Sequence, residues 1–353
     1  MWAAWQWAAE HGRADLIALA ADALWLFHAT RGSAWLGEAA FGSAVAALEQ
    51  AAGAANAPDP AREVALARAL TGQGSYYYRV GAYDRARELL SRGVALCHRL
   101  GLSRELGFAL NHLAAALHPL GAYAEEARCL RAGIALSLAA GDRYTAAYSR
   151  NDLGMATHLL GDDAEARRLA TESLATFEEL GDRRGAAFAL TTLGAVAAAR
   201  GDLAEAARLH GESLALRRAI GDQWGAADSL TRLGAVARTA GDAEAARGHL
   251  LAALRAAHDS RMPPMALAAL TELAAMLAQT GERERVRDLL TVVLRHPAST
   301  RASRDQAERL LAYLPCPRPA PATTPTRPLD DLVPALLGEP ADGRRQLELT
   351  VDS

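Results

Sequence analysis

Lysine is absent from this sequence, and arginine supplies all of the basic charge. A phosphate-binding loop of the GxxxxGK[ST] type needs a lysine to reach the phosphates, so this kind of nucleotide site is excluded. A catalytic lysine that forms a Schiff base is excluded for the same reason. The formal net charge is −3, which gives no general attraction to nucleic acid or to an anionic membrane.

Cysteine is nearly absent too. The chain has three cysteines, Cys97, Cys129 and Cys316, and no CxxC pair. An odd number spread so widely is not a disulfide framework, and it predicts a reducing compartment such as the cytoplasm. We expect Cys97 and Cys129 to be small core residues on helices.

Long apolar runs are also missing. None approaches the roughly 18 residues of a membrane-spanning helix, and the first residues lack the pattern of a signal peptide. Aromatic residues make up 5% of the chain, whereas hydrophobic residues as a whole make up 51%. Because alanine and leucine dominate, this composition favours helices around a large core.

Glycine, in contrast, is abundant and periodic. One series of glycines recurs every forty positions, and a second series lies halfway between its members. In the middle of the chain an aspartate follows each of these glycines, so a glycine-aspartate pair occurs every twenty positions. The first series is Gly81, Gly121, Gly161, Gly201, Gly241 and Gly281, and the second is Gly101, Gly141, Gly181 and Gly221.

Each glycine-aspartate pair predicts the end of one helix and the start of the next. Glycine adopts the left-handed conformation that terminates a helix, and the following aspartate accepts hydrogen bonds from the free N–H groups of the next helix. A stop and a start at this spacing predict antiparallel hairpins of two helices, each of about 15 residues. No β-strand is required.

Apolar and small side chains recur with the same period. Leucine occupies position 113 and its equivalents up to position 273, while Gly or Ala occupies position 74 and its equivalents. Each predicted hairpin is therefore amphipathic and has to stack on its neighbours to bury its apolar face. The sequence predicts an all-α solenoid.

One motif, LxxLG-x(6)-GD-x(2)-EA, recurs in the middle of the chain and resembles the tetratricopeptide repeat. It is carried by Leu190, Leu193, Gly194, Gly201, Asp202, Glu205 and Ala206. The resemblance implies a right-handed superhelix of about seven hairpins. We predict divergent helical hairpins over 1–61, regular repeats with a capping helix (Ser303–Leu314) over 62–314, a Pro-rich linker over 315–328, and a short helix with a disordered tail over 329–353.

The N-terminal residues show a second likeness. Trp5-Gln6-Trp7-Ala8, Ala23–Phe27 and Arg31-Gly32 resemble the start of the repeat region in large bacterial regulators of the STAND class, which are signal-transduction ATPases with numerous domains. This resemblance implies a partner-binding sensor for a protein or peptide, with an ATPase or regulator module in cis or in trans. The alternative is a receptor for a small molecule or a signal peptide.

The family resemblance also predicts where a partner would bind. In tetratricopeptide repeats the first helix of each hairpin lines a concave groove, and aromatic and amide side chains there can hold an extended peptide. The alternative is that the aromatics pack between adjacent helices and the rest is a solvated face. The residues that we place on the groove are Phe108, Asn111, His118, Tyr148, Arg150, Asn151, His158, Phe188 and Thr191.

Three of these residues have competing interpretations. Arg150 interrupts a leucine column, so it either presents an anion-binding group to the groove or pairs locally with Asp152 or a glutamate. His118 and His158 are equivalent positions in adjacent repeats, but two histidines without a third ligand do not predict a metal site. We expect no cofactor, no metal and no catalytic site.

The C-terminal region allows two interpretations. The leucines and valine between Leu329 and Leu337 either belong to a frayed terminus or dock as an amphipathic helix, in cis or on a partner. Residues 341–353 are predicted to be disordered.

Overall fold

The computed structural model describes residues 2–31, 34–54, 59–314 and 328–338. The predicted Pro-rich linker, apart from Pro328, and the predicted tail over 341–353 lie outside these residues. Within the described ranges the chain forms 17 α-helices and no strand, which confirms the all-α prediction. The chain divides into two compact units, Met1–Leu180 (unit 1) and Gly181–Ser353 (unit 2).

Unit 1 holds the first nine helices. Their bounds are α1 (Trp2–Glu10), α2 (Ala14–Arg31), α3 (Ala34–Ala54), α4 (Pro60–Arg79), α5 (Tyr83–Arg99), α6 (Ser103–Leu117), α7 (Tyr123–Ala139), α8 (Arg143–Leu159) and α9 (Asp163–Leu180).

Unit 2 holds the remaining eight. Their bounds are α10 (Arg183–Ala199), α11 (Leu203–Ala219), α12 (Gln223–Thr239), α13 (Ala243–Asp259), α14 (Pro263–Thr280), α15 (Arg283–Arg295), α16 (Arg301–Tyr313) and α17 (Leu329–Leu337).

The glycine-aspartate pairs end and start helices as predicted. Gly141 has φ +73°, and its N–H donates to the Leu138 carbonyl while the Asp142 N–H donates to the Ser137 carbonyl at 2.8 Å. These two bonds close the end of α7. The Asp142 carboxylate then accepts from the Thr145 N–H at 2.9 Å and caps α8.

Helices α4 to α15 pair in chain order as antiparallel hairpins, three in unit 1 and three in unit 2. In unit 1, buried leucines and alanines of α5 to α9 form one apolar core. A separate core joins α1, α2 and α3 to α4. There the Trp5 indole N–H donates to the Ala40 carbonyl at 2.8 Å, and the ring packs on Phe41, which gives the N-terminal tryptophan a structural role.

The core of unit 2 includes the C-terminal helix. Leu329, Leu332 and Val333 of α17 are buried in the same cluster as the leucines of α13 to α15, and α17 packs on α13. Of the two interpretations of this segment, the structure shows docking within the chain.

The small-residue column lets paired helices approach closely. At Gly234, an added Cβ would lie 2.6 Å from the Leu250 side chain and 3.4 Å from the Ala246 carbonyl oxygen, whereas an added Cβ at Gly248 of α13 would meet nothing within 4 Å. The two glycines therefore differ in packing although both lie inside helices.

Replacing these two glycines with alanine should have opposite effects on stability. Gly234→Ala should destabilise unit 2 by about 1 kcal/mol because overpacking outweighs the better helix propensity. Gly248→Ala should stabilise by about 0.5–1 kcal/mol, since only the propensity changes. Urea unfolding of both variants checks this, and two changes of the same sign would contradict it.

Candidate binding surface

The first helices of successive hairpins lie side by side in unit 1. Helix α2 contacts α4, and α4 contacts α6. The Ser149 hydroxyl of α8 donates to the Asn111 Oδ1 of α6 at 2.9 Å and ties the next first helix to this row. We call the solvent-facing side of α2, α4, α6 and α8 the first-helix face.

Aromatic side chains gather at one end of the first-helix face. Phe108 of α6 is 39% exposed, and its ring meets the Trp25 ring edge-on at 5.3 Å and the His112 ring at 4.2 Å. Trp25, Phe41 and Phe108 border a cavity of about 250 Å³ between α2, α3, α4 and α6. Phe108, which the sequence analysis places on the groove, is thus partly open to solvent and lies beside a cavity.

Two ion pairs lie at the border of this cavity. Arg68 pairs with Glu105 at 2.5 Å, and its guanidinium also donates to the Ala18 carbonyl. Arg104 lies 3.7 Å from Asp22. Both pairs join different helices, so they also hold α2 and α4 against α6.

The middle of the predicted strip is used for internal contacts. Asn111 accepts from Ser149 and lies against Gly133, where an added Cβ would be 2.7 Å from its Oδ1. The Tyr148 ring packs between Tyr144 and Phe177. Asn151 is only 3% exposed. All three side chains thus lie against other residues of unit 1, and Asn151 is buried while Asn111 and Tyr148 are half-buried.

Further along the same face, the carboxylates of Glu126 and Asp152 interact electrostatically. His118 Nδ1 lies 3.0 Å from the buried Glu126 carboxylate. Asp152 reaches solvent, but the protein around it displaces water and the negative Glu126 adds to this effect, so the pKa of Asp152 is raised to about 6. Loss of hydration and both carboxylates raise the pKa of the Tyr78 phenol to about 12.

Arg150 and His158, two of the three residues with competing interpretations, have local partners. Arg150 lies 3.6 Å from Glu172 of α9, which agrees with the local ion pair rather than with an anion site. His158 Nδ1 lies 2.6 Å from Asp163. Among the described residues, no group of three His, Cys, Asp or Glu side chains is placed to hold a metal ion.

In unit 2, the predicted residues belong to a buried polar cluster. Thr191 is 3% exposed, and its hydroxyl bonds to the Ala187 carbonyl and to Ser213. Phe188 lies beneath the Arg217 guanidinium, 5.1 Å from the ring centroid. Thr191 is therefore buried, whereas Phe188 is half-buried and has a cationic partner inside unit 2.

The cluster continues from Ser213 through Ser229 to a buried ion pair. Ser213 and Ser229 hydroxyls are 3.2 Å apart, and Arg217 donates to Ser229 and to the Asp228 carboxylate at 3.2 Å. Arg232 also pairs with Asp228. This is an internal network that stabilises the stack of α10, α11 and α12.

Sequence reasoning missed part of the cavity border. Trp25, Asp22 and Arg104 come from α2 and from the first turn of α6, and α2 does not follow the repeat period. One column of equivalent positions does carry a signal, because Arg68 stands where Phe108, Tyr148 and Phe188 are aromatic.

Comparison with known families agrees with this architecture. A family model of the tetratricopeptide repeat matches residues 142–219, which comprise helices α8 to α11. These residues match tetratricopeptide repeats. The hairpins of this chain are longer than the family's usual repeat of about 34 residues. The prediction of tetratricopeptide repeats is confirmed. No curated protein matches the sequence.

Solved structures with the same fold are distant in sequence. A Rap protein complexed with competence and sporulation factor has a TM-score of 0.59 at 15% identity, over 82% of this chain and 74% of that chain. The apo form of RapI has a TM-score of 0.57 at 13% identity, over 81% and 99%. A STAND protein with a tetratricopeptide repeat sensor from Pyrococcus horikoshii has a TM-score of 0.48 at 14% identity, over 86% and 50%.

At these identities, the two likenesses above a TM-score of 0.5 show the fold alone. No described helix combines the length and the apolar character needed to cross a membrane.

Proposed function

We propose that the chain is a protein-interaction scaffold and that the first-helix face of unit 1 binds a segment of a partner protein. The observation that carries this proposal is the contrast between the two units. Unit 1 leaves Phe108, His118 and Asp152 open to solvent on one face. In unit 2, Phe188 is equivalent to Phe108 and lies against the Arg217 guanidinium, while Arg232 is equivalent to Asp152 and pairs with Asp228.

The chemistry of this face suits an extended protein segment. An aromatic side chain beside a cavity offers apolar contact area, and the exposed Asp152 carboxylate, with the buried Glu126 near it, favours basic groups. Tetratricopeptide repeats are generally non-catalytic, and a Rap protein of the same fold was solved with competence and sporulation factor. These points support a binding role.

We further propose that this scaffold is the sensor part of a bacterial signalling or transcription regulator. This proposal rests on the likeness of the N-terminal residues to regulators of the STAND class, and it implies an ATPase or regulator module in cis or in trans. A receptor for a small molecule or signal peptide is the alternative, and the cavity beside Trp25 is the place where such a ligand would bind.

An affinity-capture comparison tests the scaffold. Tagged wild type and the double variant Phe108→Ala, Asp152→Asn are exposed to lysate of the source organism. The matched control is Leu138→Ala, Glu178→Gln, which removes an exposed apolar group and an acidic group from the second helices α7 and α9. Circular dichroism establishes that all three proteins are folded.

We expect the captured partner to be lost from the double variant and kept by the control, because only the former alters the first-helix face. Equal capture by both variants would refute the assignment of this face. If no protein is captured by wild type but a small molecule raises its thermal stability, the receptor is the correct alternative.

A further inference from the structure

The cavity beside Trp25 has walls that are fixed before any ligand arrives. The Trp25 indole N–H donates to the Ser75 hydroxyl at 2.7 Å, and the Trp25 carbonyl accepts from the Tyr76 hydroxyl at 2.6 Å. Phe41 is fully buried and packs directly on Gly72, where an added Cβ would lie 2.5 Å from its ring. Helix α4 thus holds both aromatic walls in place.

The size of the cavity matches one side chain better than a whole small molecule. Its volume is about 250 Å³, while ligand pockets are usually about 300–1,000 Å³. A cavity of about 150 Å³ already holds benzene, so a two-ring side chain has room here.

Charge around the mouth selects a neutral occupant. The border carries two arginines and two carboxylates, and these groups pair with each other as Arg68–Glu105 and Arg104–Asp22. The Arg68–Glu105 pair is the more buried of the two, so a charged occupant that contacts it would have to break this pair and give up its own hydration. An uncharged aromatic ring breaks no ion pair, because it loses contacts with water and gains contacts with the faces and edges of the aromatic walls.

We propose that this cavity is the anchor site for one neutral aromatic side chain, tryptophan or phenylalanine, of the partner segment, an inference that rests on the proposed function. Trp25 and Phe41 form its fixed walls. Phe108, which is partly exposed, forms the wall next to solvent. Anchors of this type carry a large part of the binding energy of an interface.

The test uses N-acetyltryptophanamide as a probe, with N-acetylalaninamide as the blank, and isothermal titration calorimetry on the full chain. The blocking variant is Ala21→Leu, because Ala21 is buried at the border of the cavity. Its matched control is Ala23→Leu, the same substitution at an exposed position of the same helix.

We expect wild type and Ala23→Leu to bind the tryptophan probe and Ala21→Leu to bind it at least tenfold more weakly. Should Ala21→Leu fail to fold, Phe108→Ala replaces it, since Phe108 is partly exposed and its loss opens one wall. No binding to wild type, or equal binding by blocking and control variants, would overturn the anchor site.

Repeating the comparison with the captured partner separates the two proposals. If the partner binds wild type and Ala23→Leu but not Ala21→Leu, the cavity anchors it. If the partner binds all three proteins yet is lost from the first-helix-face variant Phe108→Ala, Asp152→Asn, the anchor is refuted and the scaffold stands. A partner that binds even that variant refutes the proposed function.

Discussion

Replacing Asp228 with alanine is expected to destabilise unit 2 by about 3 kcal/mol, because the change leaves a buried guanidinium without its carboxylate. Arg217 is 1% exposed. Its remaining contacts are hydrogen bonds to the Gly225 carbonyl and Ser229 and the ring of Phe188. None of these supplies a negative charge.

Acid should weaken the same ion pair. Burial alone raises the pKa of Asp228, but Arg232 and Arg217 outweigh it and lower the pKa below its ordinary value. A carboxylate with a lowered pKa contributes stability that is present above its unfolded pKa and is lost as the pH falls through its folded pKa. The contribution of Asp228 is therefore complete at neutral pH, where the variant is compared.

Urea unfolding at pH 7 measures the effect, with hydrogen exchange of α11 and α12 to locate it. Arg217→Met is the control, since it removes the buried charge and keeps an apolar side chain of similar length. Asp228→Ala in the Arg217→Met background should cost clearly less than in wild type. If Asp228→Ala leaves the unfolding free energy equal to that of wild type within experimental error, the ion pair does not stabilise unit 2.

Replacing His210 with leucine should stabilise the chain at pH 5 by more than at pH 7. His210 is 1% exposed, and its Nδ1 is buried without a hydrogen-bond partner. Burial, assisted by the positive Arg232, lowers the pKa of His210 to about 3. The histidine is therefore neutral in the folded protein and becomes protonated in the unfolded chain below about pH 6.5.

The sign of the pH effect follows from these two pKa values. Between about pH 6.5 and 3 the unfolded chain binds a proton that the folded chain does not, so stability falls as the pH falls. From pH 7 to pH 5 this loss amounts to about 2 kcal/mol. The positive Arg232 and Arg217 help to lower the pKa of His210, while the nearby negative Asp228 acts to raise it.

Leucine fits this position because the repeat already uses it there. Apart from Ala170, the equivalent positions hold Leu90, Leu130, Leu250 and Leu290. Gly194 lies against the His210 ring in the same way that Gly234 lies against Leu250. The substitution thus removes an unpaired polar atom without changing the packing pattern.

Unfolding free energies of wild type and His210→Leu at pH 7 and pH 5 test this prediction. His98→Leu, at an exposed position of α5, is the control for replacing a histidine as such. We expect the advantage of His210→Leu over wild type to grow by about 2 kcal/mol on acidification. An advantage that does not depend on pH would show that His210 is not the group responsible.

The helices and their ends could be predicted from the sequence because each boundary is encoded locally. A glycine with positive φ and an aspartate cap need only neighbouring residues, as at Gly141 and Asp142. The sequence does not determine where α17 docks, since an amphipathic segment does not specify which surface it covers.

The candidate binding surface is harder to predict because equivalent positions differ in burial. Asn111 and Asn151 share one column, yet Asn151 is more deeply buried than Asn111. Phe108 and Phe188 share another, but Arg217 covers only the second. Side chains from other helices decide these differences, and Trp25 comes from a helix outside the repeat period.

Titration of the purified partner onto the variants of the first-helix face tests most directly whether this face binds the partner. We expect Phe108→Ala, Asp152→Asn to raise the Kd at least tenfold, while Leu138→Ala, Glu178→Gln changes it less than twofold. The opposite order, or equal changes in both, would place the partner on the second helices or elsewhere and contradict binding at the first-helix face.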